Sequence, residues 1–276
     1  MTKILLASDL SCRCDRALQR AALLARRWDA TLTVVTALAE DFHEPSWRSK
    51  REAVIAEVRA ELEEELAGRK LAWDIVVAPG EPQDIVIETA ARLDSQFIIT
   101  GVARNELLGR AKPGRTVEAL VRHATAPVLV VKRRVRGEYR RILALTDFSA
   151  ASEAAALRAA TLFVEADLTL LHGYRVPFSG FMSEEANRKP LRVAAEAALE
   201  QTLARLAPHL ADGQHVSGIV EYGSPEDLAA DYIRARAPDL LVLGVSREGG
   251  RLAPGVVDWM LIGAPCDVLV VPLPAE

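Results

Sequence analysis

KILLASD at residues 3–9 and RILALTD at residues 141–147 share one pattern and lie about 138 residues apart. Each consists of a basic residue, a short apolar run, and a small or hydroxyl residue followed by Asp. Two positions after that Asp comes Ser11 or Ser149, and then a segment rich in Ala and Leu. A short apolar run followed by an amphipathic segment predicts a β-strand that leads into an α-helix.

Four more stretches recur in the same order, which indicates an internal duplication. The pairs are TLTVV (31–35) with DLTLL (167–171), Gly80-Glu81-Pro82 with Gly223-Ser224-Pro225, FIITGV (97–102) with LLVLGV (240–245), and PVLVV (127–131) with DVLVV (267–271). We therefore predict one domain at 1–132 and a second at 140–276. The basic, polar stretch RRVRGEY (133–139) between them is predicted to be a solvated linker, with a small anion-binding patch as the alternative.

Within each copy, short apolar runs alternate with longer amphipathic segments, which predicts β-α-β units and a parallel sheet. The predicted strands lie near 3–8, 31–37, 73–78, 96–100, 127–132, 141–146, 167–173, 215–222, 239–243 and 266–271, and the predicted helices near 13–28, 46–67, 82–93, 114–124, 150–165, 183–207, 224–236 and 255–263. Ser149 is a predicted N-cap, and Pro82 and Pro225 suit a first helical turn, where no backbone N–H is needed. The right-handed crossover rule gives a doubly wound, Rossmann-like α/β sheet in each copy. Ligands of such sheets bind where strands one and four end.

The composition excludes several classes of function. The chain has 276 residues, of which half are hydrophobic, so that two cores can form. A net charge of -4 and 5% aromatic residues provide neither a basic footprint nor a stacking platform for nucleic acid. No apolar stretch reaches the roughly 20 residues that span a bilayer, and MTKILLASDL turns polar at Ser8 before the apolar core of a signal peptide forms. We expect a cytoplasmic protein with no membrane span and no nucleic-acid partner.

Four motifs together resemble the universal stress protein (UspA-like) family, most closely its tandem, UspE-like type. They are the Asp-x-Ser after each first strand, Leu171-His172-Gly173-Tyr174 at the end of a second strand, the Gly-x-Pro before each third helix, and Arg122-His123-Ala124 ahead of PVLVV. The resemblance covers nearly the whole chain and implies two tandem adenine nucleotide alpha hydrolase-like domains that pair as an internal pseudo-dimer, with a further homodimer left open. It implies a non-enzymatic stress-response protein that acts by binding a ligand or a protein partner.

The ATP-binding members of that family carry a Gly-x2-Gly-x9-Gly-Ser/Thr loop after strand four, and an Asp after strand one that contacts the adenine. The resemblance implies as candidate ligand residues Asp9, Gly101, Arg104, Gly114, Arg115 and Thr116 in the first copy, and Asp147, Gly244, Arg247 and Gly255 in the second. Glycines let the backbone approach phosphates, and a helix that begins there binds anions. Arg104 and Arg247 replace the second glycine of the loop, and Arg115 and Val256 replace the hydroxyl residue. The gap before Gly255 is also shorter, seven residues instead of nine.

These departures leave two interpretations of the loop open. A side chain in place of the glycine occupies the space of the phosphates, whereas the planar fork of an arginine can bind an anion. One alternative function is therefore an ATP- or AMP-binding regulator with weak ATPase activity through the first copy. Mg-ATP is the cofactor that this alternative implies.

Cys12 and Cys14 follow strand one near a helix N-terminus, where the pKa of a thiol falls. A thiol-based redox sensor is therefore the other alternative function. The competing interpretation is that Cys12 and Cys14 are incidental thiols without a functional role. No second ligand pair accompanies these cysteines, so that no metal site is expected. Cys266 begins the last strand and is expected in the core.

No catalytic motif accompanies these residues. The sequence has no Ser-His-Asp order, no Gly-x-Ser-x-Gly elbow and no Gly-x4-Gly-Lys-Ser/Thr loop, so we predict no catalytic residue. His172 is interpreted either as a pocket residue or as a packing residue. Residues 176–185 (VPFSGFMSEE) are interpreted either as a lid or apolar docking patch, or as a loop packed on its own domain.

Overall fold

The computed structural model describes residues 2–11, 14–38, 47–102, 114–176, 184–246 and 254–273. They belong to two compact units, Met1–Glu138 and Tyr139–Glu276. Unit 1 contains the first copy of the repeat and unit 2 contains the second. Among the helices described, none is both long and apolar enough to cross a membrane.

The described part of unit 1 is a five-stranded sheet with helices between the strands. In chain order its elements are β1 (Lys3–Ala7), α1 (Asp15–Arg27), β2 (Thr31–Leu38), α2 (Trp47–Glu65), β3 (Trp73–Pro79), α3 (Pro82–Leu93), β4 (Phe97–Gly101), α4 (Arg115–His123) and β5 (Val128–Val131). The order across the sheet is β3-β2-β1-β4-β5, and every pair is parallel. The order reverses between β1 and β4, which is the switch point of a doubly wound sheet.

Unit 2 repeats this topology in its described residues. Its elements are β6 (Arg141–Leu145), α5 (Ala150–Leu162), β7 (Asp167–Tyr174), α6 (Glu184–Leu206), a short 3-10 turn (Ala207–His209), β8 (Val216–Tyr222), α7 (Pro225–Arg236), β9 (Leu240–Val245), α8 (Pro254–Gly263) and β10 (Asp267–Pro272). The order across the sheet is β8-β7-β6-β9-β10, again with every pair parallel. The switch point of this unit therefore lies between β6 and β9.

Both units confirm the predicted doubly wound α/β fold. Every predicted strand and helix is present, with its ends within about three residues of the predicted ones. The strands are apolar because both faces of each sheet are covered: Ile4, Leu5 and Leu6 of β1 are 0% exposed. Burial of each such side chain stabilises the fold by roughly 1.5–3 kcal/mol.

Helix starts follow the predicted chemistry at several positions. Ser149 accepts a hydrogen bond on Oγ from the backbone N–H of Ser152 at 3.3 Å, which confirms the predicted N-cap of α5. Ser224 caps α7 in the same way, with a backbone N–H of the first turn 3.1 Å from its Oγ. Pro82 and Pro225 begin α3 and α7, where a missing N–H costs nothing.

Two arginines of α1 donate hydrogen bonds to the backbone near the end of unit 1, and one of the two acceptors lies in the predicted linker. Arg16 donates to the carbonyl oxygen of Lys132 at 2.8 Å, and Arg20 donates to that of Gly137 at 2.7 Å. Arg20 is buried, with 4% of its surface exposed. Within the predicted linker, residues 133, 134, 136 and 137 are exposed, as a solvated segment should be, and Tyr139 at its end is buried.

Candidate functional site

A cavity of about 210 Å³ opens at the carboxyl ends of the strands in unit 1. Four of the residues predicted from the sequence line it, namely Asp9, Gly101, Gly114 and Thr116. The cavity lies at the switch point, since Asp9 follows β1 and Gly101 ends β4. The structure therefore brings these four residues together where the topology predicts a ligand.

The other two candidates of unit 1 are not part of this lining. Arg115 is the first residue of α4, and its guanidinium lies 3.9 Å from the carboxylate of Glu81, with 89% of the Arg115 side chain exposed. Arg104 lies outside the described residues. Within the described lining, the cavity consequently contains no arginine.

The walls of the cavity are mostly apolar. Val35 of β2, Val86 of α3 and Val117 of α4 are buried there, and hydroxyl groups come from Ser8 and Thr100. Apolar walls with a few polar groups are typical of small-molecule sites. At about 30 Å³ per water, the volume corresponds to about seven waters. It is smaller than the about 300–1,000 Å³ of sites for drug-sized ligands.

Asp9 lies in a tight turn that fixes its carboxylate. Leu10 has a φ of 56°, in the left-handed region that residues other than glycine seldom adopt. The Oδ1 atom of Asp9 accepts hydrogen bonds from the Ser11 N–H at 3.0 Å, from the Ser11 hydroxyl at 2.6 Å and from the Cys14 thiol at 3.1 Å. Burial by itself would raise the pKa of Asp9, but these hydrogen bonds lower it below its usual 3.8. The carboxylate is therefore ionised at neutral pH.

Cys14 lines the cavity as a thiol and not as a thiolate. It is the N-cap residue of α1, which favours a lowered thiol pKa. Burial nevertheless raises the pKa of Cys14 to about 11, with a further contribution from the negative charge of Asp9. The direction expected from the helix N-terminus is thus corrected. Cys12 lies outside the described residues, and Cys266 is buried as predicted.

The N-terminus of α4 borders the cavity. Gly114 is its N-cap residue, with an extended backbone conformation, and no side chain of the described residues caps this helix. Gly114 and Thr116 both line the cavity. The first backbone N–H groups of a helix have no partner within the helix and attract an acceptor or an anion. This end of the cavity therefore offers hydrogen-bond donors to a ligand.

Unit 2 repeats the turn that follows its first strand. Phe148 has a φ of 62°, and Oδ1 of Asp147 accepts from the Ser149 N–H at 3.0 Å and from the Ser149 hydroxyl at 2.5 Å. Burial by itself would raise the pKa of Asp147, but the hydrogen bonds from Ser149 and Ser152 lower it. The Asp-x-Ser motif thus specifies the same turn in both units.

The space beside Gly244 in unit 2 is filled by the start of α5. A Cβ atom at Gly244 would lie 2.1 Å from the carbonyl oxygen of Ala151 and 2.7 Å from the backbone nitrogen of Ser152. The crowding atoms belong to the first turn of α5, which begins at Ala150. The missing side chain of Gly244 makes room for the first turn of this helix. The phosphate-approach role of Gly244 stays a prediction.

The remaining candidates of unit 2 are Gly255, at the start of α8, and Arg247. Because α8 begins at Pro254, Gly255 is the second residue of that helix and does not precede it. Gly114 in unit 1, by contrast, directly precedes α4. Arg247 lies outside the described residues. Gly255 thus lies within one residue of the start of α8, close to the predicted helix start, and its role in a phosphate loop stays a prediction.

His172 holds the turn of unit 2 from the neighbouring strand. Its Nδ1 lies 2.8 Å from the carbonyl oxygen of Thr146, and its ring stacks on Phe148 with the centroids 4.3 Å apart. Thr36 takes the equivalent place in unit 1, where its hydroxyl donates to the carbonyl oxygen of Ser8 at 3.1 Å. These contacts support the packing interpretation of His172.

Three polar residues of the cavity were not predicted as ligand residues, namely Ser8, Cys14 and Thr100. A hydroxyl residue at the end of an otherwise apolar strand was the signal available for Ser8 and Thr100. Within the residues that the structure describes, no group of three or more His, Cys, Asp or Glu is arranged to hold a metal ion. Most of the predicted lid or docking segment, residues 177–183, lies outside that part of the chain.

Comparison with known sequences finds the same family in both units. Residues 1–132 and 138–272 each match the sequence profile described as the universal stress protein family. The stress response protein NhaX of Bacillus subtilis is 34% identical over 86 residues, which are 31% of this chain and 49% of the relative. The chain thus matches about half the length of that curated relative.

Solved structures of similar fold cover the whole chain. A universal stress protein from Archaeoglobus fulgidus has a TM-score of 0.73 at 17% identity, with 98% of each chain covered. A protein of unknown function from Pseudomonas aeruginosa PAO1 has a TM-score of 0.69 at 18% identity, with 99% of this chain and 92% of that chain covered. At these identities the likeness shows the fold alone. Because the family profile matches nearly all residues in two consecutive copies, the chain belongs to the universal stress protein family as a tandem member.

Proposed function

We propose that this chain is a non-enzymatic stress-response protein that acts by binding a small ligand in the cavity of unit 1. The observation that carries the proposal is the cavity of about 210 Å³ at the switch point, which Asp9 and the N-terminus of α4 border. Membership in the universal stress protein family supports the stress-response role. So does the relative from Bacillus subtilis, which is named a stress response protein.

The titratable groups of the cavity support binding without a chemical step. A general base works best when its pKa lies near the working pH, whereas hydrogen bonds hold the pKa of Asp9 below its usual value. A nucleophilic cysteine must be a thiolate, whereas the pKa of Cys14 is raised to about 11 by burial. For the same reason Cys14 lends no support to the thiol-sensor alternative.

A nucleotide-binding regulator is the second candidate, and one observation favours it. Four of the six unit 1 residues that correspond to the ATP-binding pattern line one cavity, and two of them, Gly114 and Thr116, belong to the start of α4. A helix N-terminus is a suitable place for a phosphate group. The described lining fits a small ring better than it fits three phosphates, because its volume is small and Arg115 interacts with Glu81 instead.

Mass spectrometry of the ligand released from the purified, denatured chain tests the proposal, together with calorimetric titration of Mg-ATP and AMP on the same batch. We expect a released small molecule, or binding of a titrated one, at one site per chain. Asp9→Asn is expected to weaken that binding about tenfold or more, because a hydrogen bond to a charged group is lost.

Asp147→Asn is the matched control, since Asp147 forms the equivalent turn in unit 2, where α5 packs on Gly244. We expect this variant to bind like the unsubstituted chain. Equal losses in the two variants would contradict the assignment of the ligand to unit 1. A chain that releases no small molecule and binds none of the titrated compounds would contradict the proposed function.

Three further statements stay predictions. The pairing of the two units as an internal pseudo-dimer, the formation of a homodimer and the cytoplasmic location rest on the family resemblance and on composition. Sedimentation of the purified chain measures the second of them, since a homodimer has twice the mass of 30.0 kDa.

A further inference from the structure

The helix α6 packs on the sheet of unit 2 with one face and exposes the other. Four buried residues recur every three or four positions and define the inner face, namely Ala195, Leu199, Thr202 and Leu206. The contact with the sheet is close, since a Cβ atom at Gly218 of β8 would lie 2.5 Å from the Leu199 side chain. The residues half a turn away from the inner face therefore form the outer face of α6.

The middle of this outer face is apolar. Its centre line consists of five exposed residues, namely Lys189, Val193, Ala197, Glu200 and Ala204. Val193 has 57% of its surface exposed, more than any other large hydrophobic residue in the described part of the chain. Ala197 and Ala204 have no bulk beyond Cβ, so they leave room for a partner beside Val193. Association through this face would remove apolar surface from water.

The charges on the outer face of α6 have opposite signs at its two ends. Lys189 lies one turn before Val193, and Glu200 lies towards the other end of the face. On the flank of the same helix, Arg192 and Glu196 form an ion pair with each other at 2.7 Å. The face therefore presents an ammonium group, an apolar centre and a carboxylate in this order along the helix.

The equivalent helix of unit 1 carries a different arrangement of charges. Ala56 and Ala60 lie on the outer face of α2, opposite the buried Val58. Glu52 and Glu63 are exposed on either side of these alanines, so that both flanking charges are negative. A second copy of α2 would therefore bring carboxylates against carboxylates, which is unfavourable. Small exposed residues occur on both helices, but charges of opposite sign flank them only on the outer face described for α6.

We propose that the outer face of α6 binds the same face of a second copy of this chain, with the two helices antiparallel. A two-fold axis level with Ala195 places Val193 of each copy against Ala197 of the other. The same axis places Lys189 of each copy beside Glu200 of the other, so that two ion pairs flank the apolar centre. A partner of this face needs a carboxylate, an apolar centre and an ammonium group in the reverse order, and a second copy of α6 supplies them. The proposal concerns unit 2 and does not depend on the cavity of unit 1.

Sedimentation equilibrium of the full chain over a range of concentrations tests the proposal. One pair of helices buries less than the about 1,200 Å² of a standard interface, so we expect a reversible dimer with a Kd of roughly 1–100 μM. Val193→Glu places a carboxylate in the apolar centre of both copies and is expected to raise the Kd about 100-fold or more. Ala60→Glu is the matched control, because it makes the same kind of change on the outer face of α2, and we expect it to leave the Kd unchanged.

Charge reversal distinguishes this face from any other interface. Lys189→Glu and Glu200→Lys each bring like charges together, so we expect each variant to raise the Kd about tenfold at low salt and less at high salt. The double variant restores opposite charges across the axis, and we expect its Kd to return to within about threefold of that of the unsubstituted chain. Circular dichroism of each variant checks that α6 is still folded.

Three results overturn the proposal. The first is a chain that keeps the mass of a single copy, 30.0 kDa, even at a concentration of about 1 mM. The second is a dimer whose Kd changes neither with Val193→Glu nor with the charge reversals, because such a dimer forms through another surface. The third is a double variant that dimerises as weakly as Lys189→Glu alone. The proposed function is tested separately, by ligand binding to unit 1.

Discussion

In unit 1 the helix after the Asp-x-Ser turn begins at Asp15 and a cavity opens beside Gly101, whereas in unit 2 that helix begins at Ala150 and packs directly on Gly244. The turn itself is the same in both units. Its central residue has a left-handed backbone conformation, and the serine that follows donates a hydrogen bond to the aspartate. The comparison teaches that the Asp-x-Ser motif specifies the same turn in both units, whereas the described surroundings of the glycine in strand four differ: Gly101 lines a cavity and Gly244 contacts the start of α5.

The cause of the earlier helix start in unit 2 is local. Ser149 caps the helix through the backbone N–H of Ser152, and Ala150 and Ala151 follow the cap. Alanine has the highest helix propensity and no bulk beyond Cβ, so the first turn of α5 forms and approaches the sheet closely. In unit 1 the residue equivalent to Ser152 is Cys14, which donates to Asp9 instead.

Gly244→Ala is expected to cause the largest change and tests the close packing in unit 2. The new Cβ would lie 2.1 Å from the carbonyl oxygen of Ala151, a backbone atom that cannot move unless α5 moves. We expect the free energy of unfolding to fall by about 3 kcal/mol or more, at the upper end of the costs of overpacking. Unfolding in urea, followed by circular dichroism, measures this loss.

Two glycine variants sharpen that result. Gly263→Ala places its Cβ 3.6 Å from the nearest atoms, in ordinary contact, so we expect a change below about 0.5 kcal/mol. Gly101→Ala adds a methyl group to the wall of the cavity in unit 1, so we expect it to weaken ligand binding more than stability. Equal losses of stability for Gly101→Ala and Gly244→Ala would contradict the difference between the units.

Arg20→Met is expected to cause the next largest loss of stability. It tests whether the buried arginine in the first helix of unit 1 contributes more stability than its half-buried equivalent in unit 2. Arg20 is 4% exposed and donates to the carbonyl oxygen of Gly137 at 2.7 Å. The substitution leaves that carbonyl without its charged donor, which costs about 2 kcal/mol. Arg158→Met is the matched control at the equivalent position of α5, where the arginine is only half-buried. A loss for Arg158→Met as large as that for Arg20→Met would show that burial of Arg20 is not the cause.

The sequence predicted some of these features because their causes are local. The N-cap at Ser149, the prolines at the start of α3 and α7 and the apolar strands follow from residues within a few positions. The burial of Arg20 was not predictable in this way, because its acceptor is Gly137, which lies far along the chain. The packing of α5 on Gly244 was not predicted for the same reason. A glycine after a strand indicates that some group approaches its backbone closely, but the sequence alone does not identify that group.

In the candidate site, too, some features could be predicted from the sequence and others depend on the fold. Asp9, Gly101, Gly114 and Thr116 were predicted from the family pattern, and they line one cavity. Cys14 was predicted as a thiol near a helix N-terminus, but the direction of its pKa depends on burial and on the charge of Asp9, which only the fold reveals. Sequence patterns thus locate a site better than they predict the electrostatics inside it.

Ser149→Ala is expected to have a smaller effect and tests the cause of the early helix start. Loss of the N-cap oxygen costs about 1 kcal/mol of stability, and we expect the first turn of α5 to fray. Hydrogen exchange at the backbone of Ser152 measures that fraying. Ser11→Ala is the matched variant of unit 1. It removes the hydrogen bond from the Ser11 hydroxyl to the carboxylate of Asp9, so we expect it to weaken ligand binding. Unchanged protection at Ser152 in Ser149→Ala would show that packing alone sets the start of α5.

The smallest expected effect is a pH dependence of the stability of unit 1 that comes from the thiol of Cys14. The equivalent residue of unit 2 is Ser152, whose hydroxyl does not titrate in this range. Burial, together with the charge of Asp9, raises the pKa of the Cys14 thiol from 9.0 to about 11. A group whose pKa is raised by folding contributes stability below its unfolded pKa, and that contribution is lost as the pH rises through its folded pKa. We therefore expect stability to fall between about pH 9 and pH 11 in the unsubstituted chain, and to fall less in Cys14→Ser, which places the residue of unit 2 at this position.

Thiolate absorbance of the native protein, in a chain that carries Cys12→Ser, follows the titration of Cys14 directly. Titration of Cys14 at or below pH 9 would mean that the thiol is neither buried nor bonded to Asp9 as described. It would also return the redox sensor to consideration, because a thiolate in that cavity is the species that oxidants attack.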